Sequence, residues 1–163
     1  MSEVEIPKRL RSRPKFRGMP IPFTTFVNPQ TKVPDFKVTN ERSWNVCVTR
    51  KQCGLCGQLL LKNESYFIGG DRSCTSGIFF DPPMHKECAE YAFKVCPFLA
   101  CAKGYSKAPP REQKGYTIVV NPHMPTERPN KMGILFCKSW SMVNIQGNRY
   151  FKADKIESVE WKD

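Results

Sequence analysis

The chain has 163 residues, with 26 Lys and Arg against 15 Asp and Glu, a formal charge of +11. Its 40% apolar content can bury a core, which excludes wholesale disorder, and its length suits one domain or one module with flanks. No stretch approaches the ~20 apolar residues that a spanning helix needs, and residues 1–6 lack a basic-then-apolar leader, so the expectation is a cytoplasmic protein without a membrane partner.

Residues 1–22 form a basic, proline-rich stretch that reads as an extended arm. Lys8, Arg9, Arg11, Arg13, Lys15 and Arg17 make it dense in positive charge, and such a run can neutralise phosphates without reading sequence. The plainer reading is a solvated tail that aids solubility. Charge is uneven along the chain. Residues 1–50 carry +6 and residues 102–163 carry +5, whereas residues 51–101 are neutral. Affinity for nucleic acid must therefore come from the flanks.

Residues 23–101 read as a zinc module with N-terminal strands. Two strand-like pieces, 23–27 and 36–38, flank the turn-like Asn28-Pro29-Gln30. Then come most of the eight cysteines, Cys47, Cys53, Cys56, Cys74, Cys88, Cys96, Cys101 and Cys137. In a reducing compartment, cysteines clustered with a histidine point to metal rather than to disulfides. Cys53-Gly54-Leu55-Cys56-Gly57 is the knuckle spacing that turns two thiolates toward one cation, and its glycines permit the tight turn. Further on, Asp81-Pro82-Pro83 precedes a helix-like run, 84–96, closed by Pro97. His85 and Cys88 stand three apart and share a face of its first turn.

Two β-like segments, 59–61 plus 66–68 and then 77–80, lie between knuckle and helix, with Gly69-Gly70-Asp71 as the turn. Knuckle, β-hairpin and ligand-bearing helix make a treble-clef-like arrangement. It assigns Cys53, Cys56, His85 and Cys88 to one structural Zn2+, closed to water. The plain alternative makes His85 a surface residue and the cysteines buried small hydrophobes. Cys74 is the substitute ligand should His85 point elsewhere, Cys47 and Cys137 suit packing, and Cys96 suits a core thiol. Lys86, Glu90 and Lys94 form a solvated row opposite Cys88, Tyr91 and Val95.

Residues 102–115 read as a linker. Residues 116–163 read as a small antiparallel β-meander, packed on or beside the module, with strands near 116–120, 134–137, 149–152 and 156–161. Gln146-Gly147-Asn148 supplies a hairpin turn. Leu135, Trp140 and Trp161 are assigned to the core. The fold class expected is thus α+β.

The chain also resembles an uncharacterised family of small cysteine-rich, zinc-binding proteins encoded by bacteria and their phages. The residues that carry the resemblance are Arg17-Gly18-Met19-Pro20-Ile21-Pro22, Pro34-Asp35-Phe36-Lys37, the knuckle, Phe67-Ile68-Gly69-Gly70 and Pro82-Pro83-Met84-His85-Lys86-Glu87-Cys88-Ala89-Glu90-Tyr91. Cys96-Pro97-Phe98-Leu99 completes the set, which spans about residues 7–101. The family's Gly-Pro-Met-Cys is replaced by Gly70-Asp71-Arg72-Ser73-Cys74. The resemblance implies the zinc quartet, a mobile-element origin and a place for residues 17–22 and 34–37 within the module. It implies no reaction.

Function follows as a non-enzymatic, zinc-stabilised protein that contacts DNA or RNA non-specifically through its basic flanks, including Lys103, Lys107, Arg111 and Lys114. The alternative is a protein–protein adaptor or inhibitor of a host enzyme. A treble-clef nuclease of the His-Asn-His class needs a histidine on the hairpin, and residues 57–84 contain none. His123 stands alone in a loop-like stretch.

Overall fold

The computed structural model describes residues 4–95, the backbone of 118–119, and residues 131–162. In chain order they form a 3-10 turn (Lys8–Leu10), β1 (Lys15–Phe16), β2 (Met19–Pro20), β3 (Thr25–Val27), β4 (Pro34–Asn40) and α1 (Glu41–Arg50). There follow β5 (Ser65–Gly70), α2 (Asp71–Ser76), β6 (Ile78–Phe79), α3 (Lys86–Val95), β7 (Ile118–Val119), β8 (Met132–Ile145) and β9 (Asn148–Lys162). The class is α+β, with short helices and antiparallel sheets.

The N-terminal stretch folds instead of extending. Leu10 has no exposed surface, and Pro20 and Ile21 are buried. These apolar residues among the basic ones give the segment something to bury. β1 and β2 pair across Arg17 and Gly18, whose φ angles of 51° and 81° make the tight hairpin tip. The chain then crosses the knuckle: the Phe23 amide donates to the Leu55 carbonyl at 2.9 Å and the Thr24 amide to Gly54 at 3.3 Å.

The central sheet has the order β5-β8-β9-β6. The two segments expected to pair as a hairpin are therefore its outer strands, with the C-terminal hairpin between them. The reason is local as well as tertiary. Residues 71–76 form α2, stopped by Gly77 at φ 77°, so the connection is too long for a turn, and β8 and β9 offer long partners. The expected meander is likewise one long hairpin. Gln146 and Gly147 take φ 52° and 83° at its turn. The strand expected to break between 152 and 156 continues through a bulge, where Phe136 faces Ser158 but Cys137 faces Ile156.

Alternation along β5 and β8 buries both sheet faces. Phe67 and Leu135 point to one side, with Trp44, Cys74, Phe79, Cys137, Phe151 and Ala153. Ile68 and Ile134 point to the other, with Leu10, Cys53, Cys56, Met84, Cys88 and Tyr91. Trp140 lies against Phe151, with ring centroids 5.2 Å apart. Trp161 departs from the expected core position: it is 43% exposed, and its ring lies over Gly133 beneath Lys131. α1 has no counterpart among the expected elements; Asn40 caps it, its side chain accepting from the Ser43 amide at 3.1 Å, and Trp44 and Cys47 bury its inner face. The linker 102–115, Cys96, Cys101 and His123 lie outside the described residues.

Candidate metal centre

A short antiparallel bridge, Gln52 to Leu59, closes the base of the knuckle. Inside it, the Cys53 amide donates to the Gln58 carbonyl at 2.8 Å and the Gly57 amide to the Cys53 carbonyl at 2.9 Å. Gly57 takes φ 76°, and a Cβ there would stand 2.7 Å from the Phe23 ring, so position 57 has room only for glycine. The amides of Leu55 and Cys56 both point at Cys53 Sγ, and that of Gln58 at Cys56 Sγ, each at 3.4 Å. Amides aimed at sulfur stabilise thiolates.

The second half of the site comes from the segment before α3. Met84 exchanges both backbone hydrogen bonds with Tyr66 of β5, at 2.8 and 3.0 Å. The Gly54 amide donates to the Pro83 carbonyl at 3.1 Å, which ties this segment to the knuckle. His85 is then the residue whose carbonyl accepts the first helical bond, from Ala89 at 2.9 Å, and Cys88 follows in the first turn.

These elements bring Cys53, Cys56, His85 and Cys88 together, all buried, with their ligand atoms within 4.8 Å of one another. Cys56 Sγ and Cys88 Sγ lie 3.3 and 4.0 Å from His85 Nδ1. A tetrahedral ion bonded at ~2.0–2.3 Å requires ligand atoms roughly 3.5–3.8 Å apart, and these separations bracket that range. His85 Nε2 lies 2.8 Å from the Leu59 carbonyl. A carbonyl only accepts, so Nε2 carries the proton and Nδ1 is free to face the thiols. The quartet fits one metal ion, and it includes no carboxylate.

The proton balance without metal points the same way. Burial disfavours ionisation of Cys53, but hydrogen bonds with Cys56, Cys88 and His85 outweigh it and hold this thiol well below its ordinary range. Burial would lower His85, yet the adjoining thiolates push it up to about 10. Cys88 is held strongly protonated by sharing its proton with Cys53 and Cys56 and by burial. Binding a cation at pH 7 as thiolates and a neutral imidazole should release protons, with His85 and Cys88 among their sources. Acid opposes binding: if two protons leave, the apparent Kd weakens about a hundredfold for each unit of falling pH. A chelator-competition titration at several pH values checks the slope.

The other cysteines among the described residues are placed elsewhere. Cys74 and Cys137 belong to the opposite sheet face, and Cys74 Sγ lies 3.6 Å from the Gly69 carbonyl. Cys74 is thus no substitute ligand. Burial pushes the Cys47 thiol up to about 12 and those of Cys74 and Cys137 up to about 11, so all three stay protonated at neutral pH.

The six basic candidates are not equivalent. Arg9 is committed to protein partners at the surface: Nε is 2.5 Å from Glu87 Oε1, and Nη1 is 3.0 Å from Gln58 Oε1. Arg13 donates to the Ile21 carbonyl at 3.0 Å and lies over the Phe23 ring. Arg11 meets Glu5 at 3.5 Å with both side chains largely in water. Lys15 donates to the Arg11 carbonyl at 2.7 Å, and Arg17 lies over the Phe16 ring. Lys8, Arg11, Lys15 and Arg17 are exposed. The partners around the quartet, Arg9, Gln58, Glu87 and the Leu59 carbonyl, carried no motif. Leu10, an apolar residue inside a basic run, was the one available signal.

No family model, curated protein or solved structure matches the chain. No helix among the described residues is long and apolar enough to cross a membrane.

Proposed function

We propose that the chain is a non-enzymatic binding protein, organised by one structural zinc ion, that contacts nucleic acid through basic residues of its N-terminal segment. The observation that carries this reading is the closed Cys3His quartet. Four protein ligands leave no position for water or substrate, and soft thiolates with one imidazole favour zinc. Knuckle and helix contribute two ligands each, the division used by treble clefs. We read the centre as a variant of that arrangement, with the C-terminal hairpin inserted between its two strands. Among the described residues the sole histidine is the ligand His85, so none of these residues offers a second imidazole as a nuclease base.

The basic surplus supports the partner. A charge of +11 favours polyanions, and Lys8, Arg11, Lys15 and Arg17 stand exposed on a folded segment, where they can meet phosphates without an ordering cost. Salt titration of DNA and RNA affinity tests this. Replacing Lys8, Lys15 and Arg17 together by Ala should flatten log K against log salt by about 2–3, at 0.7–0.9 per lost phosphate contact. A parent protein with no salt-dependent affinity sinks the nucleic-acid reading. It would favour the protein adaptor, for which Leu59 and Leu61, 67% and 47% exposed just past the knuckle, are the observation.

A further inference from the structure

Arg9 sits in a basic run but, at a half-buried position, bonds to two protein side chains. Its Nε donates to Glu87, which lies between the ligands His85 and Cys88 on the first turn of α3. Its Nη1 donates to Gln58, two residues past Cys56, and the Gln58 side chain returns a bond to the Arg9 carbonyl at 3.3 Å. The amide of that same Gln58 points at Cys56 Sγ. One guanidinium therefore touches both ligand-bearing elements, the knuckle and the helix. Next to it, Leu10 is fully buried in the cluster that holds Cys53, Cys56 and Cys88.

Resting on the metal reading above, we propose that Arg9 latches the two halves of the centre together, and that the segment 4–22 is a cover whose docking is linked to metal retention. A quartet drawn from two elements loses its ion when the elements part or when a competing ligand reaches a sulfur. Arg9 resists the first, because a planar fork can hold two acceptors at fixed geometry and an ammonium cannot do so equally. Leu10 resists the second by filling the approach with apolar surface. Three thiolates around a divalent ion leave one negative charge, and Arg9, bonded to Glu87 and Gln58 beside Cys88 and Cys56, places a cation next to it. Linkage makes the effect mutual: what docking does for the metal, the metal does for docking.

The test uses the full chain loaded with Co2+, whose visible absorption establishes metal binding before anything else is measured. Release into excess EDTA is then followed at one temperature. Arg9→Ala should release the ion about three- to tenfold faster, and Arg9→Lys should remain faster than the parent. Release from Arg9→Ala at the parent rate, or full recovery by Arg9→Lys, overturns the latch while leaving the metal reading intact. A parent chain that shows no cobalt absorption overturns both. A second measurement needs no substitution: trypsin should cut at Arg9, Arg11 and Lys15 faster once EDTA has removed the ion. Equal cutting with and without metal overturns the linkage.

Discussion

Removing the metal should cost this protein most of its stability. Structural zinc contributes on the order of 10–16 kcal/mol in small zinc-dependent folds, which matches or exceeds the roughly 5–15 kcal/mol by which a whole domain is stable. The quartet is not an appendage here: Cys53, Cys56 and Cys88 belong to the same buried cluster as Leu10, Ile68, Met84, Tyr91 and Ile134. EDTA treatment, or Cys56→Ser, should lower Tm by at least about 15 °C. EDTA should also make Cys53, whose thiol is held well below its ordinary range, newly reactive toward Ellman's reagent. The buried Cys47, Cys74 and Cys137 should stay slow while the rest of the fold holds, since their thiols remain protonated. An unchanged Tm and an unchanged thiol count would contradict the structural role.

The second large effect is expected on the other face of the sheet. Phe151 has no exposed surface, and its ring meets those of Trp44, Trp140 and Phe67 at centroid separations of 5.1, 5.2 and 6.2 Å. Phe151→Ala removes the common member of that aromatic group and should cost about 3–5 kcal/mol, lowering Tm by roughly 6–20 °C. Because the quartet lies across the sheet, the cobalt absorption of this variant should match that of the parent below its transition. Denaturant unfolding beside the absorption spectrum checks both statements. Loss of the cobalt signal in the folded variant would show that the two faces do not act separately.

The two faces also differ in how far they could be read in advance. The quartet was legible because its signals are local: two residues between Cys53 and Cys56, a glycine at 57 where φ turns positive, and two residues between His85 and Cys88 after a proline pair. The turn at Gln146 and Gly147 was legible for the same reason. Pairing between β5 and β8, or between β6 and β9, joins segments far apart in the chain, and the sequence near β5 and β6 equally suited a hairpin of their own. That choice is made by tertiary contact, which local pattern does not record.

Helix α1 was hidden by composition. Val46, Val48 and Thr49 are β-branched and suggest strand, yet Asn40 at the cap and the spacing of Trp44 with Cys47 settle the segment as helix. The basic run misled in the opposite direction. Six cations in ten residues look like a solvated arm, but Leu10 and Ile21 bury themselves, and Arg9 finds Glu87 from a distant part of the chain. Charge density described the segment's surplus but not which cations are held by protein partners.

The most direct test of the central claim is the metal content of the purified full chain, measured by element analysis beside His85→Ala and Cys56→Ser. The account predicts one zinc per parent chain, a much reduced content in both variants, and cobalt absorption of tetrahedral, thiolate-rich type after exchange. A parent chain without metal, or variants that keep one ion as tightly as the parent, would contradict it.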